Sequence, residues 1–340
     1  MERALCSIQK VVGIEPIEGA EKIEICKVLG WQVVTLKNEF KPGDLCVFCE
    51  VDAFLPCRPE FEFLRKNCFR KMWDGSEGFR IKTVRLKKQL SQGICFPLSI
   101  LGPHCPAVEG QDVTELLGVK KWEVPIPAEL SGRIEGQRPE WIPRTDELRI
   151  QSYPDLLQEM KGVVCYCTTK IDGTSGSFGR KDDEYVVSSR KLVWKEDQGN
   201  AWWMVYRRYN IEQVLKEAGN YVIQGEVAGP GINKNKLMLK EPELFVFNMI
   251  DVNTGKYFDF MHVWEFCRKY NLQTVPRCWS GIAFDFTMEQ LLEMAHGKYP
   301  GTDNDIEGIV IRPIYETYSN VLKGRMSIKV LNNTALEKED

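Results

Sequence analysis

An apolar run, Val163-Val-Cys-Tyr-Cys167, passes through two threonines into Lys170-Ile-Asp-Gly-Thr174, and this stretch limits the possible folds more than any other. Such a run reads as a buried strand, and glycines at 173 and 176 let the chain bend tightly as it leaves the sheet. A lysine and, two residues on, an aspartate therefore stand where the backbone can approach a ligand closely. Two readings are open at this point. Lys170 is a nucleophile, which requires desolvation or neighbouring positive charge to lower a pKa ordinarily at about 10.4. Alternatively, it is an exposed strand-end lysine before a turn.

The context for that strand end comes from the rest of the chain. Its 340 residues suffice for two domains with separate cores, and 43% hydrophobic with 27% charged residues is ordinary for a globular protein. A net charge of −3 announces no polyanion partner for the whole molecule, so any nucleic-acid surface must be local. The N-terminus carries no long apolar leader, and no stretch approaches the roughly 18 apolar residues of a membrane span. The expectation is a soluble intracellular protein, cytoplasmic or nuclear, with no membrane partner. Twelve cysteines scattered without a secretory signal read as reduced thiols. Cys46, Cys49, Cys57 and His104-Cys105 can be drawn as a zinc site, but Cys46 and Cys49 fall in the apolar run 45–51 and core packing explains them better.

Up to about Leu101, short β runs (8–14, 23–28, 31–36, 45–51, 79–86 and 93–98) alternate with turn residues, Lys41-Pro-Gly-Asp44 being the strongest turn. An OB-type β-barrel over residues 1–120 is the economical fold, although periodicity alone does not separate it from an SH3-like barrel. Between Arg58 and Lys88, ten cations, among them Arg65, Lys66, Arg70, Lys71 and Arg85, face four anions and alternate with Phe61, Phe63, Phe69, Trp73 and Phe79. A groove for RNA phosphates and bases uses that mixture, and so does a solvated loop with its aromatics tucked into the barrel. Residues 121–146, punctuated by Pro125, Pro127, Pro139 and Pro143, read as an extended linker. Residues 147–340 then read as an α+β domain: a short helix from about Pro154, strands ending at Lys170, Val227 and Asp251, a helix over 201–218, and helices near 263–270 and 288–296. The strands 307–312 and 327–331 close it.

Asp172, Glu226 and Glu307 each stand beside a glycine at a strand end, and acids there are costly unless they meet water, a cation or a metal. With Lys170 and Lys329 they make a coherent phosphoryl-transfer set: carboxylates for a divalent metal, cations for phosphates, a lysine nucleophile. The plainer account makes the acids members of surface ion pairs. Phe245 and Phe247 alternate along one strand, where core packing explains at least one. Arg312 also reads as the partner of a nearby carboxylate, and Trp202-Trp203 as core.

The ordered set Lys170-Ile-Asp-Gly, Ser189-Arg190, Gly225-Glu226, Phe245-Val-Phe247, Glu307-Gly-Ile-Val-Ile-Arg312 and Ser327-Ile-Lys329 resembles motifs I, Ia, III, IIIa, IV and V of the covalent nucleotidyltransferase superfamily of DNA ligases, RNA ligases and capping enzymes. The run Gln224-Gly-Glu-Val-Ala-Gly-Pro-Gly-Ile-Asn-Lys-Asn235 resembles the ATP-dependent RNA ligases, and an OB domain placed before the transferase domain resembles the Naegleria RNA ligase clade. The resemblance implies an ATP-grasp-like ligase domain that joins RNA 3′-OH and 5′-phosphate ends through lysyl-AMP and RNA-adenylate, in RNA repair. It implies Lys170 as nucleophile, and Asp172, Glu226 and Glu307 at a catalytic metal, magnesium or manganese, acting on Lys170 through that metal rather than as direct ion-pair partners. Phe247 would stack on adenine, Lys329 would meet the α-phosphate, Arg149 the β- and γ-phosphates, and Arg190 the nucleotide or the RNA end. No protein partner is implied. Ser327 stands where several RNA ligases have a lysine, with Arg325 or Lys323 as candidate replacements. The rival readings are a capping-type guanylyltransferase, disfavoured by the position of the barrel, and an inactive nucleic-acid-binding protein, disfavoured by the intact motif set.

Overall fold

The computed structural model describes residues 3–72, 74–102, 107–123 and 132–338, with side chains described up to 335. The chain divides into two compact units, Met1–Pro127 with Gln151–Pro154, and Ala128–Ile150 with Asp155–Asp340. Trp73, His104, Cys105, Pro125 and Pro127 lie outside the described residues.

The first unit is built from short strands: β1 (Cys6–Pro16), β2 (Ile23–Val28), β3 (Trp31–Leu36), β4 (Leu45–Cys49), β5 (Ala53–Pro56), β6 (Phe69–Lys71), β7 (Glu77–Arg80), β8 (Thr83–Leu86), β9 (Gln89–Gln92), β10 (Ile94–Phe96) and β11 (Lys120–Lys121). They pair in the orders β10-β4-β1-β2-β3 and β11-β5-β7-β6, with β8-β9 as a separate hairpin. β1 serves two partners, because Cys6–Lys10 pairs with β4 and Val11–Pro16 with β2, and an extra residue at Val12 bends it between them. Leu5, Ile8, Val47, Leu55, Phe61, Phe79 and Phe96 fill one core and Val11, Val28, Trp31, Val33 and Phe48 another. The run expected at 79–86 is broken after Arg80, so β7 and β8 are separate strands. Cys6 and Cys49 are direct register partners with Cα atoms 4.1 Å apart and form a disulfide, against the expectation of reduced thiols throughout.

The strands of the second unit are β12 (Ile134–Gln137), β13 (Leu148–Arg149), β14 (Val164–Lys170), β15 (Thr174–Lys181), β16 (Glu184–Ser188), β17 (Leu192–Trp194), β18 (Tyr221–Ala228), β19 (Glu243–Asp251), β20 (Lys256–Tyr257), β21 (Gln273–Thr274), β22 (Arg277–Ala283), β23 (Gly308–Pro313), β24 (Tyr318–Ser319), β25 (Gly324–Arg325) and β26 (Ile328–Leu331). One sheet runs β12-β17-β16-β15-β18-β19-β20, the other β13-β26-β23-β14-β22. Ile134–Gln137, expected within an extended linker, instead adds an edge strand to the first of these through pairing with β17. β23, buried at every residue and apolar but for Arg312, is central to the second sheet, as such runs tend to be. Four helices carry the apolar faces that matter here: α1 (Ala201–Arg208), α2 (Ile211–Ala218), α3 (Phe260–Lys269) and α4 (Met288–Met294). The first three cover the longer sheet through Val205, Ile211, Leu215 and Val263, packed on Phe178, Ile223 and Val246. The helix expected over 201–218 is two, because Asn210 adopts a left-handed conformation, φ 49°, that ends one and starts the next. Thr287 and Gln290 form the expected capping box of α4. Among the described residues no helix is long and apolar enough to cross a membrane.

Candidate active site

β14 delivers Lys170 to the end of the shorter sheet, directly opposite Gly308, the first residue of β23. That register places Glu307 beside it, and Lys170 Nζ donates to Glu307 Oε2 at 2.6 Å. Gly308 has φ +149°, and a Cβ there would lie 2.1 Å from the Val330 carbonyl oxygen, so only glycine fits between β23 and β26. Gly173 is similarly constrained: a Cβ would lie 2.5 Å from the Val227 carbonyl oxygen and 2.9 Å from Glu226 Cγ. The turn after Lys170 thus packs onto the strand that carries Glu226. Lys170, Glu226, Phe247, Arg190, Arg312 and Lys329 are among the walls of one cavity of about 190 Å³.

A tyrosine locks this corner together. Tyr299, almost fully buried, donates its hydroxyl to the Lys170 carbonyl at 2.9 Å and accepts from the amides of Asp172 (2.9 Å) and Glu307 (3.2 Å). One hydroxyl therefore ties the backbones of three expected site residues.

The electrostatics are set by burial and mutual charge. Burial pulls the Lys170 pKa down, but the charges of Glu307 and Glu226 and the Glu307 hydrogen bond outweigh it and leave it raised. Burial pushes Glu226 up to about 8, opposed by the Lys170 charge and reinforced by Glu307 and Asp172. Lys170 is thus paired directly with Glu307, a contact that the Lys170–Gly308 register brings within reach. The donor set, all carboxylate oxygen, fits a hard divalent ion in its chemistry. As they stand, Asp172 is held by Lys236 (Nζ to Oδ2 2.7 Å) and Asn233 (Nδ2 to Oδ1 2.7 Å). Among the described residues, no three acid, cysteine or histidine side chains form a ready metal-holding group.

Phe247 and Phe245 are separated by a bulge. Gln224 pairs with Asn248 and Gly225 with Val246, which leaves Phe247 as the extra residue of β19. Bulges re-aim side chains, and Phe247 lines the cavity, whereas Phe245 is buried. Arg312 is buried, donates to Glu147 (2.6 Å), Ser327 Oγ (2.7 Å) and the Phe247 carbonyl (3.0 Å), and has its guanidinium 5.8 Å from the Phe247 ring. Arg190 grips Asp146 with two nitrogens, at 3.0 and 2.7 Å, and both line the cavity. Arg149, in register with Lys329, is buried and does not line it. Arg325, a candidate for the missing motif V charge, is instead engaged by Glu316, by Asn248 at 2.8 Å and by the Tyr257 ring at 4.1 Å. Trp202 and Trp203 pack at the edge of the core.

In the first unit, Arg65, Lys66, Arg70, Lys71 and Arg85 are all exposed. Arg65 pairs with Glu62 at 2.6 Å and stands over Phe69 at 4.7 Å, Lys71 approaches Glu77 at 3.7 Å, and Arg70 and Arg85 donate to the backbone of Phe69 and Lys88. Phe61 and Phe79 belong to the barrel core, while Phe63 is exposed.

Sequence reasoning missed Tyr299, Lys236 and Glu147. Lys236 directly follows the Gly-Pro-Gly-Ile-Asn-Lys-Asn run that resembles the RNA ligases, so a signal exists. Tyr299 has no local signal, since its role arises only when the Lys170–Asp172 turn meets the segment leading to Glu307.

An OB-fold domain family model matches residues 5–98, and an RNA ligase family model matches residues 164–331. No curated protein sequence matches the chain. Among solved structures, an RNA ligase of Naegleria gruberi with PPi is similar over 99% of both chains, with 34% identity and a TM-score of 0.90. A variant of that ligase with ATP and Mn aligns over 99% of both chains at 34% identity and TM-score 0.89. Another variant, with AMP and Mn, aligns over 99% of both chains at 34% identity and TM-score 0.90.

Proposed function

The chain belongs to the RNA ligase family, and from that membership we propose that it joins RNA 3′-OH and 5′-phosphate ends at the expense of ATP. The observation that carries the reading is the convergence of Lys170, Glu226, Phe247, Lys329 and Arg190 on one cavity, with Glu307 against the lysine. Lys170 Nζ attacks the α-phosphorus of ATP, forming an N–P bond while pyrophosphate leaves. The 5′-phosphate of an RNA then takes AMP from the lysine, and a 3′-hydroxyl displaces AMP to form the phosphodiester.

For the attack Lys170 must shed its proton and its contact with Glu307, because the carboxylates raise its pKa. A divalent cation, Mg²⁺ or Mn²⁺, held by Asp172, Glu226 and Glu307 directly or through water, would supply the positive charge that favours the neutral amine and screens the phosphates. Phe247 stacks on adenine and Lys329 binds the α-phosphate. Arg190 contacts the nucleotide or the RNA end. Arg149 is assigned to the β- and γ-phosphates on motif resemblance alone, since it does not line the cavity. We assign residues 1–120 to the OB domain and 147–340 to catalysis, with 121–146 connecting them while contributing β12 to the catalytic unit's sheet, and Arg65, Lys66, Arg70, Lys71 and Arg85 contacting RNA. ATP consumption on RNA suits a cytoplasmic or nuclear role in RNA repair.

The test is covalent labelling: protein, α-labelled ATP and Mn²⁺, then denaturation. Acid-labile label on the polypeptide, absent in Lys170→Ala, is expected. Labelling by GTP and not ATP would move the chain to the capping-type guanylyltransferases, and no label with either would leave a nucleic-acid-binding protein.

A further inference from the structure

Asp172 and Lys236 form an ion pair at 2.7 Å whose side chains are only 10% and 13% exposed. The second carboxylate oxygen of Asp172 is held by Asn233, which also donates to the Gly173 carbonyl at 2.9 Å. The segment is anchored from its other side, since Asn304 donates to the Lys236 carbonyl at 2.8 Å and Asn304 lies in the turn that begins at Tyr299. Asn233 sits at φ 46°, in the left-handed region that asparagine tolerates, with its amide on Asp172.

Both ends of the acidic set are thereby countered by lysines: Glu307 by Lys170 and Asp172 by Lys236. A dication arriving alone would compete with a nearly buried ammonium for the same oxygen and leave two positive groups side by side, a costly arrangement. A dication arriving with a triphosphate brings the anionic charge that a displaced ammonium needs.

We infer that Lys236 couples metal binding to nucleotide binding, by holding Asp172 against a free divalent cation and yielding it when the nucleotide's phosphates enter with the metal. The inference rests on the ATP-dependent ligase reading and adds to it a residue that makes metal occupancy conditional on ATP. Lys236 is a positioning residue here, acting through Asp172.

The measurement is Mn²⁺ binding to the full chain, followed by loss of the free-ion EPR signal with protein-free controls subtracted, with and without the unreactive analogue α,β-methylene ATP. In the wild type the analogue should tighten Mn²⁺ by about tenfold or more. Lys236→Met should bind Mn²⁺ without nucleotide about tenfold better than the wild type, and the analogue should add little. Lys236→Gln, which keeps a donor for Asp172 without the charge, should behave as Lys236→Met, and Lys236→Arg as the wild type. Nucleotide-free affinity in Lys236→Met or Lys236→Gln equal to or below that of the wild type overturns the inference. Self-labelling of the wild type by ATP, run in parallel, reports separately on the ligase reading.

Discussion

Cys278 lies exposed on β22, and a hydrogen bond from the buried Cys167, opposed by partial burial and aided by Thr169, pulls its thiol down to about 6. It is therefore largely thiolate at neutral pH. Peptide mapping after brief iodoacetamide treatment should find Cys278 alkylated first, with a rate that reaches half its plateau near pH 6; a half-point near the ordinary thiol value would contradict the geometry. The sign for stability follows: a folded value below the unfolded one contributes stability that is present above the unfolded pKa and lost as pH falls through about 6. Tyr299→Phe keeps the ring and removes the hydroxyl, stranding two amides and a carbonyl. Urea unfolding should show a loss of about 2 kcal/mol or more, accompanied by weaker self-labelling. Lys170, Asp172, Glu226 and Glu307 are singled out by the order of the motifs, since acids beside glycine at strand ends leave surface ion pairs open as an account. Tyr299 and Lys236 fall in none of these motifs: a tyrosine or lysine in a loop carries no periodicity, and the Lys170–Asp172 stretch they hold lies as far as 129 residues away in sequence.

At the level of elements, the bulge in β19 separates two phenylalanines that alternation would place alike. Phe245→Ala should cost about 3 kcal/mol of stability through the cavity it leaves, whereas Phe247→Ala should leave the unfolding midpoint nearly unchanged and raise the ATP concentration needed for labelling. Equal effects of the two on either readout would show that the bulge does not divide their roles. Gly308→Ala meets both a left-handed φ and the Val330 carbonyl at 2.1 Å, and should prevent the β23–β26 pairing, seen as loss of soluble folded protein. The strands and most helices could be read from apolar period and turn residues. The bulge and the break at Asn210 could not, since one arises from register with β18 and the other from a single backbone conformation that asparagine tolerates.

Across the whole molecule, catalysis and RNA contact are assigned to different units, which makes them separable. Replacing Lys66, Arg70 and Lys71 together by alanine should leave self-labelling unchanged, weaken RNA binding, and flatten its dependence on salt by about three phosphate contacts; unchanged joining would give the barrel another purpose. Deletion of the first 120 or so residues should act likewise, although Gln151–Pro154, which belong to the first unit, would lose their partners. The pairing of Lys170 with Glu307 has a further consequence, for biosynthesis. These residues are 137 apart in sequence, and β23 must join β14 before the nucleophile has its surroundings. Contacts of such long range form late in folding. A chain still emerging from the ribosome, or one ending near residue 300, carries Lys170 without Glu307 or Lys329 and should take no label from ATP, so that reactivity arises only as the last strands dock.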